Sequence, residues 1–334
     1  MAADLLHFRS LTESVNNIIV PGRVMLERVF TRVMKLTTRL VDMDIIDGNK
    51  KLAPFVSTLE NGIVVPKSSR TMRSLEAPRI RLETPLRPSD FAERAPGMSV
   101  YSNADQILQA RKLKIAQEQQ ILKDMIARRI HWMCCQALTG KITVAQDNIA
   151  FEIDFLFPVA YKPVLTSPAV WTHADSDPLA NIRAWKRLGQ AKGFNYKIGF
   201  MTSGAADAFL TNKKVLEYLD KKNVNVGSIN RDESDYIGKF EGIHFYEFNE
   251  EYTNDAGTSV PMLPANTVTL IDTNARFDMN YAAAEDFDAE GLAVGEMFSK
   301  TYMSVDKTKL WMIVESNPLP IPTQIGSVLH ATVA

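Results

Sequence analysis

Residues 103–139 run for 37 positions without a proline or a glycine. A stretch of that length and composition favours a helix strongly, and at 1.5 Å per residue it would extend roughly 50 Å. Asn103 is placed to cap its start and Gly140 to end it. Leu108, Ile115, Leu122, Met125, Ile126, Met133 and Ala137 form a narrow apolar stripe, with Lys112, Lys114, Arg128 and Arg129 crowding the remaining surface as a basic face. A coiled coil is the competing reading, but the repeat fades after Leu122 and the flanking charges are not complementary. The pattern predicts one long helix lying across a sheet.

The 50 residues before it, 49–98, are of the opposite kind. They hold 6 of the chain's 16 prolines and only 18 apolar residues, so they have little with which to build a core of their own. Phe55 to Pro66, turning at Asn61-Gly62, reads as a hairpin, and Pro78 to Thr84 alternates as a strand. Lys67, Arg70, Arg73, Arg79 and Arg81 make the segment basic. Two readings stand: an insert without fixed structure, or an extended arm whose strands order against another molecule. The second is the expectation, and it makes those five residues candidates for contacts between subunits.

Around these two segments the chain mixes helices and strands without a βαβ repeat, which is an α+β pattern. Residues 22–34 suggest a short amphipathic helix with Val24, Val29, Phe30 and Val33 on one face, followed by a strand from Thr37 to Ile46. After the long helix, strands are expected at Lys141 to Val144, Ala150 to Phe157, Tyr196 to Met201, Ile243 to Phe248, Thr267 to Ile271, Lys309 to Ser316 and near Ser327 to Val333. Asp177-Pro178 opens a helix to about Leu188, and Thr202 and Ser203 cap another running to about Asp220.

Charge is uneven though the net is −1: residues 1–150 carry 22 Lys and Arg against 15 Asp and Glu, and the remainder 16 against 24. Halves of opposite sign suit head-to-tail association of copies. The two cysteines, Cys134 and Cys135, are adjacent and imply no disulfide. The first ten residues hold Asp4 and lack the apolar centre of a signal peptide, and no stretch reaches the roughly 18 uncharged apolar residues of a membrane span. A soluble protein made in the cytoplasm is expected.

Motifs for catalysis fail individually. Ala137 to Thr143 resembles a phosphate loop, but Cys135 stands where its first glycine belongs and Ile142 where its hydroxyl belongs. Asp286, Asp288, Glu290 and Gly291 resemble the start of a calcium loop whose twelfth position is Met297 instead of glutamate. Gly199 to Gly204 is not a nucleophile elbow. His173 with Asp175 and Asp177 forms the one cluster around a histidine, without a second group at zinc spacing. A hydrolase or phosphoryl-transfer enzyme using Asp286, Asp288, Glu290 or His173 is the alternative from another class. A tail-tube or portal subunit is a third, disfavoured by the long loop before the long helix.

The order of parts, with several local stretches, resembles the lambda-type major capsid proteins of tailed bacteriophages. Met25 to Gly48 is similar to that family's N-terminal helix and strand, and Ala53 to Arg87 to its extended loop. The helix ending Leu138-Thr139-Gly140-Lys141 is similar to its spine helix. Ala150-Phe151 through Asp154, then Trp171 and Asp177-Pro178, match the next landmarks; Leu263-Pro264-Ala265-Asn266-Thr267 and Glu315-Ser316 with Pro318-Leu319 match the last two. Residues 221–238 and 249–262 do not align.

The resemblance implies the Hong Kong 97-like fold. In it, 1–48 is an N-terminal arm, 49–98 an extended loop, 99–175 with 301–334 a peripheral domain holding the spine helix (103–139), and 176–300 an axial domain. It implies a non-enzymatic subunit without cofactor or metal, self-assembling as hexamers and pentamers into the icosahedral head around double-stranded DNA, held by non-specific contact. A scaffold, a decoration protein and a portal at one vertex are the implied partners, with no membrane, and the virion is the implied destination.

Overall fold

The computed structural model describes residues 7–18, 23–46, 70–87, 89–90, 104–146, 149–221, 235–254, 256–289 and 291–334. The long helix spans Ala104–Thr139 as one uninterrupted element. It ends as expected at Gly140, whose φ of +98° is left-handed and whose N–H donates to the Ala137 carbonyl at 3.2 Å. The Phe157 ring lies 3.1 Å from where a Cβ would stand at this position, so both backbone and space call for glycine. The predicted stripe holds at Ile115, Leu122, Ile126, Met133 and Ala137, all buried, whereas Met125 is 49 % exposed. From Ile126 on the helix is buried on most sides, and Cys134 and Cys135 are fully inside it as free thiols. Burial pushes both thiols up, which makes them inert packing groups.

The chain forms two compact units, divided within this helix. One comprises Met1–Asp42, Ser74–Met133 and Asp278–Pro320; the other Met43–Arg73, Cys134–Phe277 and Ile321–Ala334.

In the first unit the helix Phe8–Asn17 lies on a three-stranded antiparallel sheet ordered Phe298–Met303, Leu310–Ser316, Ile80–Leu86. Leu11, Leu86, Ile115 and Met312 form its core. Helix in residues 22–34 is confined to Val24–Arg28. Arg32–Lys35 is instead a strand, pairing in parallel with 278–281 and leaving Val33 48 % exposed. Four residues rich in backbone partners and poor in apolar neighbours gain more from a ladder than from one more helical turn. The strand expected over Thr37 to Ile46 begins at Leu40, with Val41 and Met43 buried.

The second unit is built on a five-stranded sheet ordered Val328–Thr332, Thr267–Ile271, Ile198–Met201, Ile243–Glu247, Tyr236–Phe240. The 198–201 and 243–247 strands are parallel and the other pairings antiparallel. Trp171, Leu179, Ile182, Trp185, Phe209, Phe240 and Phe245 fill its core. The Asp177 carboxylate accepts from the Ala180 N–H at 2.9 Å, with Pro178 at the first turn, so Pro178–Ala191 starts where predicted.

Three expectations are corrected. The helix after Thr202 is two helices, Ser203–Thr211 and Lys213–Lys221. Asn212 breaks it: its extended backbone lets the amide donate to Ser176 Oγ (2.8 Å) and the Trp171 carbonyl (3.3 Å) while Oδ1 accepts from the Lys214 N–H. Nor does Ser203 act as the cap. The Thr202 hydroxyl is occupied with the Thr267 backbone, and Asn249 Oδ1 takes the Ser203 N–H at 3.0 Å. The strand expected over Ala150 to Phe157 also stops early, at Asp154, because Leu156 adopts φ 57°.

One consequence of this sheet is pH-dependent. His330, on the edge strand, faces Thr269 across the ladder with Nδ1 2.9 Å from Thr269 Oγ1. Burial, with Lys162 nearby, lowers its pKa from 6.5 to about 4. The unfolded imidazole takes up its proton near 6.5 and the buried one only near 4, so this stability is complete above that window and is lost as pH falls through it. Urea unfolding is expected to show about 3 kcal/mol less stability near pH 4 than at pH 7 from this group. His330→Gln should remove that difference; an unchanged pH profile in the variant would refute the assignment.

Candidate assembly surfaces

Glu315 is the fixed point of the first unit's sheet. Its side chain is only 3 % exposed, a costly place for a carboxylate without partners. Arg79 supplies two: Nε to Oε1 at 2.8 Å and Nη2 to Oε2 at 2.6 Å. This bidentate bond holds the Arg79 guanidinium pKa above its usual value. Arg81 adds Nη1 at 3.8 Å and pairs with Glu83 at 2.8 Å. The strand Ile80–Leu86 is thereby pinned to Leu310–Ser316 of its own chain, in register from Ile80↔Ser316 to Leu86↔Leu310. The expectation that this strand orders against another molecule is corrected for 80–86. The distant strand is a strong local partner that no neighbouring residue in sequence reveals.

The N-terminal helix is fastened in the same way. Gln119 of the long helix is fully buried. Its Nε2 donates to the Leu11 carbonyl (3.1 Å) and to Ser299 Oγ (3.2 Å), and its Oε1 accepts from Ser14 Oγ (2.8 Å). Thr12 and Ser299 exchange hydrogen bonds between hydroxyl and backbone, both at 3.1 Å. Lys123 then closes the helix end, Nζ donating to the carbonyls of Val15, Asn16 and Ile18 at 2.7, 3.1 and 2.6 Å. An ammonium on the last carbonyls also satisfies the negative end of the helix dipole. Burial lowers its pKa, partly offset by Glu296. Arg23 pairs with Asp124 at 2.9 Å.

The remaining predicted residues are placed as follows. Lys67 lies outside the described residues, as does the 55–66 hairpin. Arg70 and Arg73 belong to the strand Arg70–Glu76, which pairs with Leu40–Ile46. On the long helix Lys112 is exposed. Lys114 pairs with Glu118 at 3.1 Å and Arg128 with Asp124 at 2.7 Å, both one turn apart. Arg129 lies over the Trp132 ring at 5.2 Å. The basic face is thus largely answered by its own carboxylates and one indole.

Gln119 and Lys123 carry no mark in the sequence reading, and Glu315 enters it as a family landmark without its role as the partner of Arg79. Gln119 sits four positions after Ile115 and three before Leu122, inside the apolar stripe, and a polar residue there was the available signal. Of the acidic loop, Lys300 Nζ lies 2.6 Å from Asp286 Oδ2 and 2.9 Å from Asp288 Oδ2. Burial acts to lower the Lys300 pKa and these hydrogen bonds more than offset it, so the net shift is upward. A resident ammonium occupies the position a bound cation would take. His173 Nδ1 is 3.9 Å from Asp175, and Asp177 serves as a helix cap. Among the described residues no group of three or more His, Cys, Asp or Glu side chains could hold a metal ion, and no helix is long and apolar enough to cross a membrane.

This architecture matches known proteins along nearly its whole length. The family model of phage major capsid protein E matches residues 7–333. No curated protein sequence matches the chain. Among solved structures, a protein described as the capsid protein of an Escherichia coli CFT073 prophage superposes with a TM-score of 0.71 at 16 % identity, covering 98 % of this chain and 99 % of that one. A phage-related protein from Bordetella bronchiseptica RB50 gives 0.55 at 13 % identity, covering 97 % and 96 %. The capsid asymmetric unit of cyanophage A-1(L) gives 0.52 at 12 % identity, covering 95 % and 94 %. These likenesses show the fold, which is the Hong Kong 97-like α+β fold expected from the sequence. With the family matched over all but the first six residues and the last, the chain belongs to the phage major capsid protein E family, the shell-forming subunits of the virion.

Proposed function

We propose that copies of this chain assemble as hexamers and pentamers, and that these close an icosahedral head around double-stranded DNA. The match to the capsid family over residues 7–333 carries the reading. A subunit of this kind acts by shape and contact, so the proposal includes no catalysis and no cofactor. Arm (1–48), extended loop (49–98), peripheral (99–175, 301–334) and axial (176–300) regions are proposed as places in that shell. Repeated heterologous contacts, each joining two different surfaces of identical molecules, build rings and then close them.

Lys67, Arg70, Arg73, Arg79 and Arg81 are proposed to lie near such contacts. Arg79 keeps 46 % of its side chain exposed while bound to Glu315, so it can meet a neighbour's carboxylate without releasing its own. Lys112, Lys114, Arg128 and Arg129 offer DNA phosphates at most diffuse attraction, since Asp124 and Glu118 already answer two of them. A scaffold, a decoration protein and a portal at one vertex complete the proposed partners.

Electron microscopy of the purified protein, alone and coexpressed with its phage's other head genes, tests the proposal. Closed shells with capsomers of six and five are expected. A monodisperse monomer under every condition would refute it.

A further inference from the structure

The outer face of the first unit's three-stranded sheet carries a row of flat side chains. Tyr302, Trp311 and Pro85 stand directly opposite one another on the three strands, so all three point to one side. The other side is filled, with Leu86 and Met312 packed against Leu11 and Ile115. Tyr302 is 41 % exposed, Pro85 is exposed and Trp311 is half-buried. The two aromatic rings lie within 12° of parallel with centroids 6.4 Å apart, as adjoining steps.

Further along the same face the side chains turn polar. Glu83 there accepts from Tyr302 Oη through Oε2 at 3.1 Å, and from Arg81 Nε through Oε1 at 2.9 Å. Tyr302 is thus fixed by its hydroxyl as well as by its strand, and it loses little freedom when something covers it. Arg81 and Glu83 keep 33 % and 34 % of their side chains exposed, and each carboxylate oxygen has a second lone pair to offer. Charge around the row is balanced. Arg79, Arg81 and Lys300 are each bonded to carboxylates, those of Glu315, of Glu83 and of Asp286 with Asp288.

We infer that this row is a binding platform for a neutral saccharide. A pyranose ring has a face of C–H groups, which sits on the electron-rich face of an aromatic ring. Its rim of hydroxyls donates to carboxylates and accepts from guanidinium groups. The aromatic row and the Arg81–Glu83 pair meet these two needs side by side. Other occupants meet a mismatch. The phosphates of a nucleic acid would lie against Glu83 and find Arg81 already engaged. A wholly apolar protein face would strip water from the Arg81–Glu83 pair and return nothing for it. The site goes beyond the coat-subunit reading and does not depend on it.

Titration of the purified chain with maltohexaose, cellohexaose and laminarihexaose tests this, read by tryptophan emission. Trp132, Trp171 and Trp185 are at most 9 % exposed, so Trp311 is the indole that senses a bound ligand. At least one of the three sugars is expected to shift the emission to shorter wavelength, with a Kd of about 1 mM. Tyr302→Ala should weaken that binding about ten-fold while keeping the wild-type circular dichroism. Phe287→Ala, which removes a fully exposed ring elsewhere, should leave it unchanged. No shift with any of the three sugars, or an equal loss in Phe287→Ala, would overturn the inference. So would a free chain that binds no sugar while Tyr302 becomes inaccessible in assembled particles, which would assign the row to contact between subunits.

Discussion

Trp171→Ala is expected to cost the second unit about 4 kcal/mol, the largest single loss among its core positions that the geometry predicts. Trp171 is 1 % exposed, and its ring lies 6.1 Å from that of Trp185 and 5.5 Å from that of Phe209. Its backbone is also a junction: the N–H donates to the Val333 carbonyl, and its carbonyl accepts from Asn212 and Ser176. An alanine cavity would undermine the helix break at Asn212 as well as the sheet. Trp171→Phe should behave differently. The indole N–H is buried without a hydrogen-bond partner among the described residues, and an unmet donor is itself unfavourable. Removing it offsets part of the lost ring area, leaving a cost of about 1 kcal/mol. Urea unfolding of both variants decides the matter; equal losses would show that ring packing is not the source of the effect.

Gln119→Leu is expected to release the N-terminal helix. Leucine has nearly the same bulk, so the packing volume is kept, but the Leu11 carbonyl and Ser299 Oγ each lose a buried hydrogen bond and the half-buried Ser14 Oγ loses a third. At about 1–3 kcal/mol for each unmet buried group, a total near 4 kcal/mol is expected. The loss should be local. Hydrogen exchange of the amides of residues 8–17 and 298–303 should accelerate, while the five-stranded sheet exchanges as before. Unchanged protection of residues 8–17 would show that Lys123 and the apolar contacts of Leu11 suffice to hold the helix. The variant also separates a first helix that is seated from one that is loose during assembly.

What could be read from the sequence was whatever depends on near neighbours. The long helix was legible nearly to the residue because absence of proline and glycine and a C′ glycine act within a few positions; its expected cap, Asn103, lies outside the described residues. The same holds for Asp177-Pro178 and for the strand Thr267–Ile271, and within two residues for the strands expected over Lys141 to Val144 and Lys309 to Ser316. What was illegible depends on partners far along the chain. Arg32–Lys35 carries a helical apolar pattern and becomes a strand because 278–281 offers it a ladder. Arg79 and Arg81 look like free cations until Glu315, more than 230 positions away, stands beside them. Asn212 reads as one polar residue in a helix, and only Trp171 and Ser176 explain why it ends one. The family landmarks reached further, because they stand for a fold already known to bring such distant pieces together.

The seat of the first helix has a consequence in time. Thr12 binds Ser299, 287 positions away, and the strand 80–86 binds 310–316. A chain emerging from the ribosome therefore carries Phe8–Asn17 and Ile80–Leu86 through more than two hundred further residues of synthesis before their partners exist. Half-made chains lack the finished surface on which a second molecule could dock.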